Sequence, residues 1–141
     1  MNSGIAMGYL EAQGLTRLQA AAVIGAFTVE SNLNPYAVGD KTLTLHAHGI
    51  GQWRGIRWTN LQHLAKTRGK SPYDVLLQLE FALAELGTTE KMAGDKLFRA
   101  TTIEDAVEAM VDYERPGGWT PKHPRNAHTW KARLAAAKAL L

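Results

Sequence analysis

Cysteine is absent from the 141 residues, which excludes a disulfide framework, a thiolate metal site and a cysteine nucleophile together. Neither an oxidising nor a reducing compartment is selected by that absence. No stretch approaches the roughly 18 apolar residues of a membrane span. The amino terminus MNSGIAMGYLEAQG lacks the basic region and following apolar run of a secretory signal. If the protein acts outside the cytoplasm, another agent is expected to carry it there. Internal repeats, low-complexity tracts and linkers are also missing, and the length suits one compact domain spanning residues 1–141.

Acidic residues stop at Glu114. Met1 to Glu114 holds 10 Lys/Arg against 13 Asp/Glu, whereas Arg115 to Leu141 holds 6 against none. This cationic stretch suits an anionic partner, which includes nucleic acid, anionic lipid and bacterial cell wall, although a basic helix face also serves solubility alone. Nucleic-acid binding predicts a steep salt dependence, but no recognition motif accompanies the charge.

What is present reads as short helices divided by Gly and Pro. A first helix is predicted from Ser3, as N-cap, to Gly14. A second opens at Thr16 with Gln19 in a capping-box pattern and stops before Asn34-Pro35, since a residue preceding proline avoids helical backbone. Leu15, Leu18, Ala22, Val23, Ala26, Phe27 and Val29 cover one broad face of it, and Ala20 and Ile24 extend that face. A helix apolar nearly all round is a buried central helix. After the Gly39-Asp40 turn, the alternation from Thr42 to His48 predicts one arm of a small hairpin. Later helices are predicted from Gly55 to Thr67, from Ser71 (N-cap, with Pro72 first) towards Leu86, from Thr102 to Tyr113, and from His123 to Leu141. The fold class is mainly α, with one small β-hairpin.

Glu30 closes the buried helix among apolar neighbours. Desolvation and the negative end of the helix dipole both favour a protonated carboxyl there, which is the form a general acid requires. Asp40, ten residues on, sits in turn surroundings that keep it ionised, and the two would make the unequal carboxyl pair of a glycosidase if they face each other. In HGIGQWRG, Gly49 and Gly51 permit close backbone approach, while Gln52 and Trp53 place an amide beside a flat ring, a mixture suited to sugars. Trp58, Trp119 and Trp130 read as packing. His46 and His48 would share a strand face and, with Asp40, offer a metal set, but lone strand histidines are usually structural and no metal is expected. YERP brings Tyr113 or Arg115 to a cleft wall or merely ends a helix.

Taken in order, GLTRLQAAAVIGAFTVESNLNPYAVGD, HGIGQWRG, QLEFALAEL and VDYERPG resemble the phage tail lysozyme family of the lysozyme-like superfamily, from about Tyr9 to the last helix. Glu30-Ser31 and Gly49-Ile50-Gly51-Gln52 also resemble the Glu-Ser and Gly-x-x-Gln motifs of lytic transglycosylases. The resemblance implies a lysozyme-like α+β fold and cleavage of the β-1,4 bond between N-acetylmuramic acid and N-acetylglucosamine in peptidoglycan, with Glu30 as acid. Ser31, Thr44, Gly51, Gln52, Trp53 and Tyr113 are the implied substrate-binding residues, and no cofactor is implied. Better-known phage lysozymes place Asp nine residues after Glu and Thr six beyond that. Here Asp40 stands at ten and His46 takes the later place, so a transglycosylase with Glu30 alone is the alternative chemistry. A non-catalytic wall-binding module is the alternative of another class. The expected partners are glycan strands and, through the basic last helix, anionic wall polymers. The expected setting is a monomer or a tail component, delivered to the wall from a virion or from the host cytoplasm.

Overall fold

A computed structural model describes residues 3–40 and 45–141. Among them are helices α1 (Ser3–Ala12), α2 (Arg17–Ser31), α3 (Ile56–Arg68), α4 (Val75–Gly87), α5 (Lys91–Arg99), α6 (Ile103–Glu114) and α7 (Trp130–Lys138). Strands β1 (Val38–Gly39), β2 (Ala47–His48) and β3 (Trp53–Arg54) lie between α2 and α3. The fold is mainly α with a small sheet, as expected.

Helix α2 is the post around which the rest is built. Thr16 Oγ1 accepts from Gln19 N while Gln19 Oε1 accepts from Thr16 N, so the capping box forms as read. Every residue from Gln19 to Phe27 is buried, and α1, α6 and α7 pack around this stretch. Gly25 lets α7 come so close that a Cβ there would lie 2.7 Å from the Ala137 nitrogen. At the far end Asn32 adopts left-handed backbone (φ 56°) and closes the helix through Phe27 and Thr28 carbonyls.

The predicted hairpin is instead an antiparallel three-stranded sheet in the order β1-β2-β3, with Val38 opposite His48 and Ala47 opposite Arg54. Thr42 and Thr44 lie outside the described residues. Three helices also differ from the prediction. Helix α4 is capped by Asp74, whose carboxylate accepts from Leu77 N, whereas Ser71 only accepts from Tyr73 N in the preceding turn. A charged acceptor at the positive helix end outcompetes a hydroxyl. Helix α5 is absent from the sequence prediction, and it contains Gly94. This glycine is a contact point, where a Cβ would sit 1.7 Å from the Leu86 oxygen of α4. The last helix starts at Trp130, since Pro124–Asn126 forms a 3₁₀ turn that Ala127 ends in extended backbone (ψ 135°), and His128 N donates back to Gly117 O.

Candidate active site

Glu30 stands in the last turn of α2, its side chain 20 % exposed, so a buried helix delivers a carboxyl to the surface. The neighbourhood is less apolar than expected. Arg133 of α7, only 2 % exposed, donates through Nη2 to Glu30 Oε1, and its Nε is fixed by Thr129 Oγ1 at 2.8 Å. Arg133 Nη1 is buried with no hydrogen-bond partner, and so is Oε1 of Glu114, the final residue of α6. Burial first, then the charge of Glu30, holds the Glu114 carboxyl well above the usual range, against the opposing pull of Arg133 and Arg57.

Ser31 anchors the glycine-rich segment to α2. Its hydroxyl lies 2.8 Å from Ile50 O and 3.0 Å from Phe27 O, donating to this pair of carbonyls. Gln78, fully buried on α4, completes the anchoring. Its Oε1 accepts from Ile50 N at 2.9 Å, and its Nε2 donates to Pro35 and Pro72 carbonyls at 3.0 and 2.8 Å. Gly49, at φ 78°, meets this amide so closely that a Cβ would fall 2.8 Å from its oxygen. Gln52, itself at φ 53°, turns its amide back to Gly49 O (2.9 Å) and Ala37 O, spanning the sheet. Gly51 is buried under the Trp53 ring, where a Cβ would lie 2.6 Å from the indole.

Trp53 and Tyr113 do not line a cleft; both are 0 % exposed. They belong to a polar knot inside the core. Trp53 Nε1 donates to Tyr113 Oη (2.9 Å) and to Glu85 Oε1 (3.1 Å), and Tyr113 donates to the same carboxylate oxygen at 2.5 Å. Arg57 grips Glu85 with two bonds of 2.9 and 2.7 Å and lies over the Tyr113 ring. Burial, then the charge of Glu85, keeps the phenol far above its ordinary titration, so it stays a donor. Phe27 and Phe81 meet the indole edge-on. The knot is a bolt between α3, α4, α6 and the sheet, and both aromatics face inward because their polar atoms find partners there.

Asp40 is exposed, at φ 54°, and its carboxylate is paired with Arg54 on β3. His48 stacks on Trp58 at 4.5 Å, and burial followed by the His46 charge lowers its titration. Among the described residues no three His, Asp or Glu side chains gather as a metal set. A cavity of about 650 Å³ opens between α5 and the end of α6, bordered by Glu90, Lys96, Asp112, Arg115 and Trp119; another lies at His48 and Trp58. Glu30 lines neither cavity. Thr44 is outside the described residues.

The cationic tail is also less free than its composition implies. Of its six cations, Arg115 pairs with Glu90, Arg125 with Asp105 and Glu108, and Arg133 with Glu30, which leaves Lys122, Lys131 and Lys138 outside these pairs.

A buried helix ends in Glu30-Ser31, and the Ser31 hydroxyl ties it to the Gly49-Ile50-Gly51-Gln52 segment. The family model for phage tail lysozyme matches residues 1–140. The chain belongs to the phage tail lysozyme family. Comparison with curated proteins returned no match. Membership carries a lysozyme-like action on peptidoglycan and a phage-associated setting, and no helix among the described residues is long and apolar enough to cross a membrane. Sequence reasoning missed Arg133, Glu114, Gln78 and Glu85. Gln78 and Glu85 had a signal, being with Glu80 the polar residues of an otherwise apolar helix. Arg133 had none, because it hides within a basic run.

Proposed function

We propose that this phage tail lysozyme hydrolyses the β-1,4 bond between N-acetylmuramic acid and N-acetylglucosamine, with Glu30 as the acid that protonates the leaving oxygen. The observation that carries the reading is the delivery of one carboxyl to the surface by the most buried helix of the fold. A rigid post is what positioned acid catalysis needs. Backbone around Gly51, held against Ser31 and Gln78, would form the adjoining wall, while Trp53 and Tyr113 support it from within the core. Anionic wall polymer would meet Lys122, Lys131 and Lys138, and a virion or the lysing host would deliver the protein.

The pairing of Asp40 with Arg54 favours a second reading, in which Glu30 serves as acid and then base and leaves 1,6-anhydro ends. Mass spectrometry of muropeptides released from purified walls separates the two. Reducing ends support hydrolysis, anhydro ends support transglycosylation, and wall binding without released fragments overturns both in favour of a non-catalytic module.

A further inference from the structure

The aromatic side chains fall into two populations. Trp53, Tyr113 and Phe27 are sealed in the core, whereas Tyr36 and Tyr73 are 67 % and 40 % exposed. Those two rings stack on each other, with centroids 5.2 Å apart and planes 19° from parallel. Tyr73 continues to Trp58 of α3 at 6.0 Å, and Trp58 lies flat on His48 of β2 at 4.5 Å. Four residues from four separate segments thus make one unbroken row of rings. Burial does not account for the row, because rings left in water gain little from the core, and contiguous exposed apolar surface marks a place of interaction.

The fold holds the row in place. Tyr36 and Tyr73 each follow a proline, and both proline carbonyls accept from Nε2 of the buried Gln78, at 3.0 and 2.8 Å. One amide therefore fixes the two Pro-Tyr turns against each other. Asn34 Oδ1 accepts from Tyr36 N and Ser71 Oγ from Tyr73 N, so each turn is also closed locally. Oε1 of the same Gln78 holds Ile50 N, two residues beyond His48, which makes the row continuous with the glycine-rich segment.

The chemistry of the row selects a ligand. A cavity of about 420 Å³ opens at Trp58 and His48, lined besides by Leu45, His46, Gly55 and Thr59, with no Lys, Arg, Asp or Glu among these described residues. Asp74, beside Tyr73, is turned to Leu77 N as the α4 cap. An anionic polymer finds no lysine or arginine in this lining. Flat apolar faces edged by phenol, indole and imidazole polar atoms match the amphipathic ring of a neutral sugar. We propose that Tyr36, Tyr73, Trp58 and His48 form a carbohydrate-binding platform, on which neutral acetamido-sugar rings of a glycan strand stack. The platform acts on affinity for the strand. It needs a glycan ligand, as membership of the family gives, and does not need Glu30 to be the acid.

The test is an NMR titration of Glu30→Gln with the β-1,4-linked tetramer of N-acetylglucosamine, the substitution serving to read binding without cleavage. Saturable shifts of the Tyr36, Tyr73, Trp58 and His48 ring signals are expected. In the same background Tyr36→Ala is expected to raise Kd by about tenfold or more, the usual scale for truncating an aromatic anchor. Tyr36→Phe keeps the ring and is expected to bind as its parent does. Shifts confined to other residues, or Tyr36→Ala binding like its parent, overturn the proposal. Ring shifts that follow protein concentration without sugar give the surface to a second copy of the chain, and ring shifts with poly(glycerol phosphate) but not with the tetramer give it to an anionic polymer; either overturns it. Should Tyr36→Ala not fold, the ring shifts of the parent decide alone. A wild type that binds the tetramer on these rings yet releases no glycan from purified walls supports the platform and overturns the glycosidase reading instead.

Discussion

Arg133 Nη2 donates to Oε1 of Glu30 across 103 positions of sequence, joining α7 to the C-terminal end of α2 where that helix leaves the core. The bond gives the candidate acid a fixed direction. It also makes the last helix part of the site instead of a detached basic patch.

Replacing Glu30 by Gln keeps an acceptor for Arg133 and removes the transferable proton. Activity on purified walls is expected to fall by at least ~10²-fold, the lower end for a positioned acid. Circular dichroism should remain that of the wild type. Lysis at the wild-type rate refutes the assignment of Glu30.

Two glutamates on α4 differ sharply in what they hold. Glu85 is 6 % exposed and binds Trp53, Tyr113 and Arg57. Glu85→Ala strands a buried phenol, an indole and a guanidinium, and a loss of about 3 kcal/mol is expected in urea titration. Glu80 pairs only with exposed Arg68, so Glu80→Ala should cost less than about 1 kcal/mol. Equal losses contradict the knot.

The glycines Gly8 and Gly94 predict opposite signs. Gly94→Ala drives a Cβ into the Leu86 carbonyl and is expected to cost about 1–3 kcal/mol as α4 and α5 separate. Gly8 lies exposed in α1, where an added methyl would meet nothing within 4 Å, so Gly8→Ala should stabilise by about 0.5–1 kcal/mol. Thermal melts of the two variants check the contrast.

Glu114 imposes a pH dependence on stability. Its folded carboxyl is raised above the unfolded value, so the folded chain binds the extra proton as pH rises past the ordinary carboxyl range. Its contribution is full at acid pH and is lost as pH rises towards its folded titration. Glu114→Gln removes that slope. The stability of the variant relative to wild type should therefore rise from acid to neutral pH, by up to about 1.4 kcal/mol per pH unit. A difference that is flat with pH shows Glu114 ionised in the folded chain.

Sequence alone determined the post and its charge. The capping residues Thr16 and Gln19, the Pro35 stop and the apolar run between them act over a few residues, where backbone sterics and burial period leave little choice. Thr102 is legible as a cap for the same reason. Trp53 and Tyr113 read as cleft walls in the sequence because aromatic and amide neighbours suit sugars equally well. Only tertiary packing supplied Glu85 as the partner that turned both inward. Arg133 and Glu114 were decided by tertiary structure as well, since a charge in a basic run or beside a helix end has no local signature. Its role follows from which opposite charge the folded chain brings within reach, and that depends on α6 and α7 meeting the far end of α2.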